Sequence, residues 1–118
     1  MRYAMLICTD ENWIAGLSES DTQAMLAGYG RFMDEMNSRG VLQSGERLRP
    51  TSDATTVRVR DGETLTTDGP FAETKEQVGG FYLLEASSLD EAIKLASMLP
   101  EVQASHSGVE IRPVVDHG

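Results

Sequence analysis

The sequence predicts an α+β domain in which two helices cover one face of an antiparallel sheet. Three observations carry this expectation. Two stretches place apolar residues at the three-and-four spacing of a helical face, each is flanked by apolar runs of strand length, and an Asp61-Gly62 pair separates two alternating segments. At 118 residues the chain has the commonest size for one core, so a single domain over residues 1–118 is expected.

Tyr3 to Thr9 is continuously apolar enough for a central strand covered on both faces, and Asp10-Glu11-Asn12 supplies a polar turn after it. Ser18-x-x-Asp21 or Ser20-x-x-Gln23 caps a helix whose apolar face is Met25, Leu26, Tyr29, Phe32, Met33 and Met36. Gly40 ends it, with Arg39 at its negative end. Gly28 and Gly30 weaken this helix by about 1 kcal/mol each relative to Ala. Flanking Tyr29, they offer room for close approach of another backbone. Val41 to Leu48 reads as a second strand and Pro50 to Asp53 as a loop. Val57-Arg58-Val59-Arg60 alternates with period two, and Asp61-Gly62 is the pair preferred in two-residue type I′ hairpins, with Glu63 to Thr67 as the returning strand. Gly79-Gly80 opens a strand from Phe81 to Ala86. Ser88-x-x-Glu91 is a capping box, and Leu89, Ala92, Ile93, Ala96 and Leu99 form the face of a helix that stops before Pro100. Val109 to Val115 closes the chain as a strand, where Pro113 favours an edge or an end. This order suggests the split β-α-β arrangement of ferredoxin-like folds with an inserted hairpin. The sheet face away from the helices is then uncovered, and the apolar runs Tyr3 to Cys8 and Phe81 to Leu84 favour covering it with a second copy, as a homodimer.

Ten basic against nineteen acidic residues give a net charge of −9, which opposes phosphate neutralisation, so direct nucleic-acid binding is not expected. Five arginines and two acids lie between Arg39 and Arg60, and eight acids and one lysine between Asp61 and Glu91, an asymmetry that suits an anion-attracting cleft, complementary subunit surfaces or plain solvated strands. No apolar run approaches the roughly 20 residues of a membrane span, so no membrane partner is expected. The apolar start after Arg2 is too short for a signal sequence, and the single Cys8 excludes an internal disulfide and fits a reducing compartment. A cytoplasmic location is the expectation. His106 and His117 have no carboxylate or thiol at ligand spacing, and Ser105-His106-Ser107 resembles a nucleophile–base pair only superficially. Gly28-x-Gly30 lies within a helix, so no metal, nucleotide or other cofactor is implied.

Asp68-Gly69-Pro70-Phe71 is the most distinctive local feature. Asp68 can bond the backbone two residues on, Gly69 before a proline is biased to extended or positive-φ backbone, and Phe71 follows as a rigid apolar plug beside Glu73, Lys75, Glu76 and Gln77. The run Thr67-Asp68-Gly69-Pro70-Phe71-Ala72-Glu73-Thr74-Lys75-Glu76-Gln77-Val78-Gly79-Gly80-Phe81-Tyr82 resembles the signature of the YCII-related, or DGPF-domain, family of small bacterial proteins. Met1-Arg2-Tyr3, Tyr29, Gly40-Val41-Leu42, Gly45-Glu46, Thr56-Val57-Arg58, Leu89-Asp90-Glu91-Ala92 and Val109 to Pro113 extend the resemblance over the chain. It implies a dimeric ferredoxin-like α+β barrel, with relatives linked to extracytoplasmic-function sigma factors and transcription initiation. The wider group carries a histidine in its first helix and an aspartate after its second. By the same resemblance these positions fall on Tyr29 and near Leu99, so the acid–base pair is expected to be lost; a phenol with a pKa of about 10 is a poor base at neutral pH.

Among the charged residues, Glu46 and Arg47 end the second strand, Arg112 lies on the last, and Asp68 and Lys75 lie on the signature loop. If the sheet curls, these converge with Tyr29, Gly69, Pro70 and Phe71 on one cleft, with Trp13 covering it or packing at a subunit boundary. A buried ion pair fixing the loop explains the charges without a ligand. Three readings follow: a regulatory dimer binding a small molecule, a module for a sigma-factor-related protein partner, or a small-metabolite enzyme using Asp68, Glu46 and Arg112 as acid–base groups.

Overall fold

The first strand, β1 (Arg2–Asp10), alternates strictly: Tyr3, Met5, Ile7 and Thr9 are buried, and Ala4, Leu6 and Cys8 half-buried. In the computed structural model, which describes residues 1–104 and 106–116, that double-sided pattern places it inside a four-stranded sheet. It lies between β5 (Glu76–Glu85) and β6 (Ser107–Pro113), and β2 (Leu42–Arg47) adds to the far side of β5, giving the order β2-β5-β1-β6 with every neighbouring pair antiparallel. β1 and β2 are thus parallel across β5, and β5 and β6 parallel across β1. Each such pair is joined by a helical crossover, α2 (Glu19–Arg39) for the first and, for the second, α3 (Leu89–Ala96). Pro113 ends an edge strand, where its missing N–H breaks no ladder.

The helices begin and end on side-chain chemistry. Ser18 Oγ accepts from the Asp21 N–H at 3.1 Å to start α2, and Gly40 ends it at φ +67° with its N–H directed to the carbonyls of Met36 and Asn37. Ser88 Oγ accepts from the Glu91 N–H, while the Glu91 carboxylate reaches the Ser87 N–H at 2.8 Å, one residue earlier than a standard capping box. Between β1 and α2 the expected turn and loop are instead a short helix, α1 (Glu11–Ala15), because the Asp10 carboxylate caps it by accepting from the Asn12 N–H at 2.9 Å.

Phe32 and Met36 of α2 and Ala92, Leu95 and Ala96 of α3 meet Tyr3, Met5, Ile7 and Leu84 in one core, completed by Leu99. The Phe32 and Tyr82 rings tilt against each other at 5.0 Å. All these strand residues lie on one sheet face. In register with them on the other face are Ala4, Leu6 and Cys8 of β1 and Phe81 and Leu83 of β5, none of which belongs to the core.

Two glycines are explained by close approach. A Cβ on Gly28 would stand 2.9 Å from Pro100 Cγ, so α2 lies directly against the 3-10 turn Pro100–Gln103, although it is a proline ring rather than a backbone that approaches. Gly79 and Gly80 lie inside β5 rather than opening it, because a Cβ on Gly80 would meet the Glu46 carbonyl of β2 at 3.1 Å.

The inserted segment forms its own two-stranded sheet, β3 (Thr55–Arg60) and β4 (Glu63–Asp68), with Asp61 at φ +51° and Gly62 at φ +78° as a type I′ turn requires. β4 is exposed throughout, and Val57 and Val59 are 60% and 66% exposed. This arm lifts the radius of gyration to 16.2 Å, against about 13.5 Å for a compact chain of this length. Among the described residues no helix is long and apolar enough to cross a membrane.

Candidate functional site

A cavity of about 230 Å³ opens between α2, the strand ends and the turn after α3. Its walls follow from the alternation already described. Ile7 and Thr9 come from the helix-side face of β1, Met25, Leu26 and Tyr29 from successive turns of α2, and Gly80 and Tyr82 from β5. Glycine at position 80 keeps one wall thin. Leu26, expected in the core, is instead half-exposed at this cavity.

Glu101 lies at its base. It sits in the Pro100–Gln103 turn, is 2% exposed, and is the only buried acidic or basic side chain among the described residues. The Tyr29 hydroxyl donates a hydrogen bond to Glu101 Oε1, and Glu101 Oε2 is buried with no partner. Removal from water disfavours the charged form, so burial pushes the Glu101 carboxyl above its usual 4.5, offset only in part by a bond to its own backbone. Burial likewise raises the Tyr82 phenol. The cavity therefore combines apolar walls with a paired phenol and carboxyl, the composition of a small-ligand site.

The structure divides the residues expected to share one cleft. Tyr29, Glu46 and Arg47 line this cavity. Pro70 and Lys75 line a separate shallow groove with Glu11, Thr51, Thr74 and Gln77. Asp68 ends the exposed strand β4, paired with Thr55. Arg112 lies on β6, at the opposite sheet edge from the β2 residues Glu46 and Arg47, and bonds the neighbouring Glu110 on the surface. The cavity lined by Glu46 includes neither Asp68 nor Arg112, so the expected convergence of the three is not seen among the described residues.

The signature loop is built from backbone. Gly69 takes φ +105°, its N–H bonds the Ala54 carbonyl at 2.8 Å, and its own carbonyl accepts from Thr56 Oγ1 at 2.8 Å. Gln77 Nε2 then donates to the Ala72 and Thr74 carbonyls at 2.7 and 3.0 Å. No ion pair involving Asp68 or Lys75 occurs among the described residues, so the expected buried pair is replaced by these backbone bonds. Phe71 does not plug the interior: it is 72% exposed, with the Arg58 guanidinium 4.9 Å from its ring centre. Trp13 borders a shallow depression beside Leu17, Ala24 and Met98 rather than the Tyr29 cavity.

Sequence reasoning missed Glu101. The position expected for the aspartate, Leu99, is fully buried in the core, and the carboxylate stands two residues later. An acid directly after the proline that ends a helix, inside the apolar run Leu99-Pro100-Glu101-Val102, was the available signal. Among the described residues no cluster of three His, Cys, Asp or Glu is placed to hold a metal ion. Ser105 and His117 lie outside the described residues.

An uncharacterised protein of Rhizobium meliloti (strain 1021) is 39% identical over 114 residues, covering 97% of this chain and 92% of its own. The YCII-related domain matches residues 1–117, in keeping with the signature from Thr67 to Tyr82. The chain belongs to the YCII-related domain family.

Proposed function

We propose that the protein is a small-molecule-binding domain whose ligand enters the cavity above the Tyr29–Glu101 pair. The observation that carries this reading is the buried, unpartnered Oε2 of Glu101, a residue that lines the cavity. An unsatisfied polar atom at such depth costs about 1–3 kcal/mol, and a bound molecule that satisfies it recovers that cost. The same pair supports an acid–base reading as well, since a buried carboxyl that holds its proton above the usual range can serve as a proton donor, and Glu101 rather than Asp68 is then the group to test.

The strand order and the two crossovers support a ferredoxin-like topology, and the half-buried far face of Ala4, Leu6, Cys8, Phe81 and Leu83 supports a homodimer built by stacking two sheets. A regulatory use of the bound molecule is what the family resemblance implies.

Native mass spectrometry of protein purified without denaturation tests the binding reading. A small-molecule adduct is expected, and it should vanish in Leu26→Trp, which fills the cavity. Bare masses for both proteins, with no cavity amide responding to a fragment library by NMR, would overturn it.

A further inference from the structure

The surroundings of Glu101 specify more than the presence of a ligand. One of its oxygens is occupied by the Tyr29 hydroxyl and the other has no partner. The neighbouring walls are Ile7, Met25 and Leu26, with the Thr9 hydroxyl and the Tyr82 phenol as uncharged polar groups. Among the described residues the only cation lining the cavity is Arg47 of β2. It is exposed, it makes no ion pair with Glu101, and the adjacent Glu46 is equally exposed and acidic. A carboxylate ion at this depth would stand without a counter-charge, whereas a carboxylic acid keeps the bond from Tyr29 on one oxygen and carries a hydroxyl on the other.

We propose that the cavity takes an uncharged carbonyl compound, whose oxygen accepts a hydrogen bond from the Oε2 hydroxyl of Glu101 while its apolar body lies against Ile7, Met25 and Leu26. This rests on the cavity being the ligand site. Glu101 is itself among the residues that line the cavity, and the terminal torsion of a glutamate is soft. Space is sufficient: a void of about 150 Å³ holds a benzene ring, and this one is about 230 Å³. The upward shift of the Glu101 carboxyl by burial agrees with the donor role.

The sign of the pH dependence separates this ligand class from its alternatives. The titratable groups that share the cavity with Glu101 are Tyr29 from α2, Tyr82 from β5, and Glu46 and Arg47 from β2, while β6, which packs against the Pro100–Gln103 turn, carries Glu110 and Arg112 paired with each other. Burial raises the Tyr82 phenol and the Glu101 carboxyl alike, so the Glu101 proton is held to higher pH than in an ordinary carboxyl. A carbonyl ligand should therefore bind well below that titration and weaken as pH rises through it, whereas an ammonium ligand should strengthen.

Three probes of one shape make the test: cyclohexanone, methylenecyclohexane and cyclohexylammonium, titrated into the whole protein and followed by amide NMR shifts. Cyclohexanone should move the amides of Thr9, Met25, Tyr29 and Gly80 and bind about tenfold tighter than methylenecyclohexane. Glu101→Gln keeps an N–H donor and should retain ketone affinity without its pH dependence, whereas Glu101→Leu should abolish the preference for the ketone. The amide spectrum of each variant reports whether it is folded. Equal affinity for ketone and alkene, or tighter binding of cyclohexylammonium that grows with pH, would overturn the carbonyl assignment and leave the cavity reading intact. No response to any of the three probes would sink both.

Discussion

The Tyr29 hydroxyl, in the middle of α2, hydrogen-bonds the Glu101 carboxyl, in the turn after α3, across 72 residues of sequence. The contact joins the two crossover segments at the base of one cavity, and its energetics can be measured.

Tyr29→Phe removes the donor to Glu101 Oε1, while Oε2 stays buried without a partner. A loss of about 1–3 kcal/mol is expected in urea denaturation. The double variant Tyr29→Phe/Glu101→Leu should recover part of it, since no polar atom then remains stranded; additive losses would refute the pairing.

Stability should also depend on pH through Glu101. Its folded pKa is raised above the usual 4.5, so the folded state holds this proton more tightly than the unfolded chain. The contribution is fully present below about 4.5 and is lost as pH rises from there through the raised folded value. In Glu101→Gln that component should vanish. Denaturation midpoints of both proteins across this window provide the measurement, and parallel profiles would contradict it.

Gly28→Ala should raise intrinsic helix propensity by about 1 kcal/mol yet destabilise the protein. The added methyl meets Pro100 Cγ at 2.9 Å and pushes away the turn that carries Glu101. A lower Tm with altered Tyr29 and Glu101 resonances is the expected result, whereas a higher Tm would show that the contact relaxes freely.

Gly69→Ala places a side chain at φ +105°, a strain of about 1–3 kcal/mol. The hairpin stands off the core, so the effect should be local: faster hydrogen exchange at residue 69, whose amide bonds Ala54, and along β3 and β4. Unchanged exchange would remove the requirement for glycine.

The homodimer reading predicts a mass near twice 12.9 kDa in light scattering and a monomer for Phe81→Glu. A wild-type monomer at micromolar concentration would refute it.

The elements were legible because local chemistry encodes them. Ser18, Gly40 and Ser88 bound helices through bonds made within a few residues, and Asp61-Gly62 adopts positive φ for reasons internal to the turn. The continuous apolar run from Tyr3 to Thr9 marked β1 as a central strand without knowledge of its neighbours. The signature from Thr67 to Tyr82 likewise identified the family from one continuous stretch.

The site was not encoded in that way. Asp68, Glu46 and Arg112 looked like partners because they are charged and near strand ends, but strand order puts β2 and β6 at opposite edges, and no local pattern specifies strand order. Phe71 looked like an apolar plug for the turn, but the ring is exposed to solvent beside the Arg58 guanidinium. Glu101 is one of nineteen acidic residues in a chain with a net charge of −9. Its character comes from the packing of Pro100 against Gly28, which turns the carboxyl inward to Tyr29 and out of water. Sequence alone determined the elements and the family, since these depend on neighbours along the chain. Burial and long-range pairing determined the cavity and the state of its carboxyl, since desolvation depends on neighbours in space.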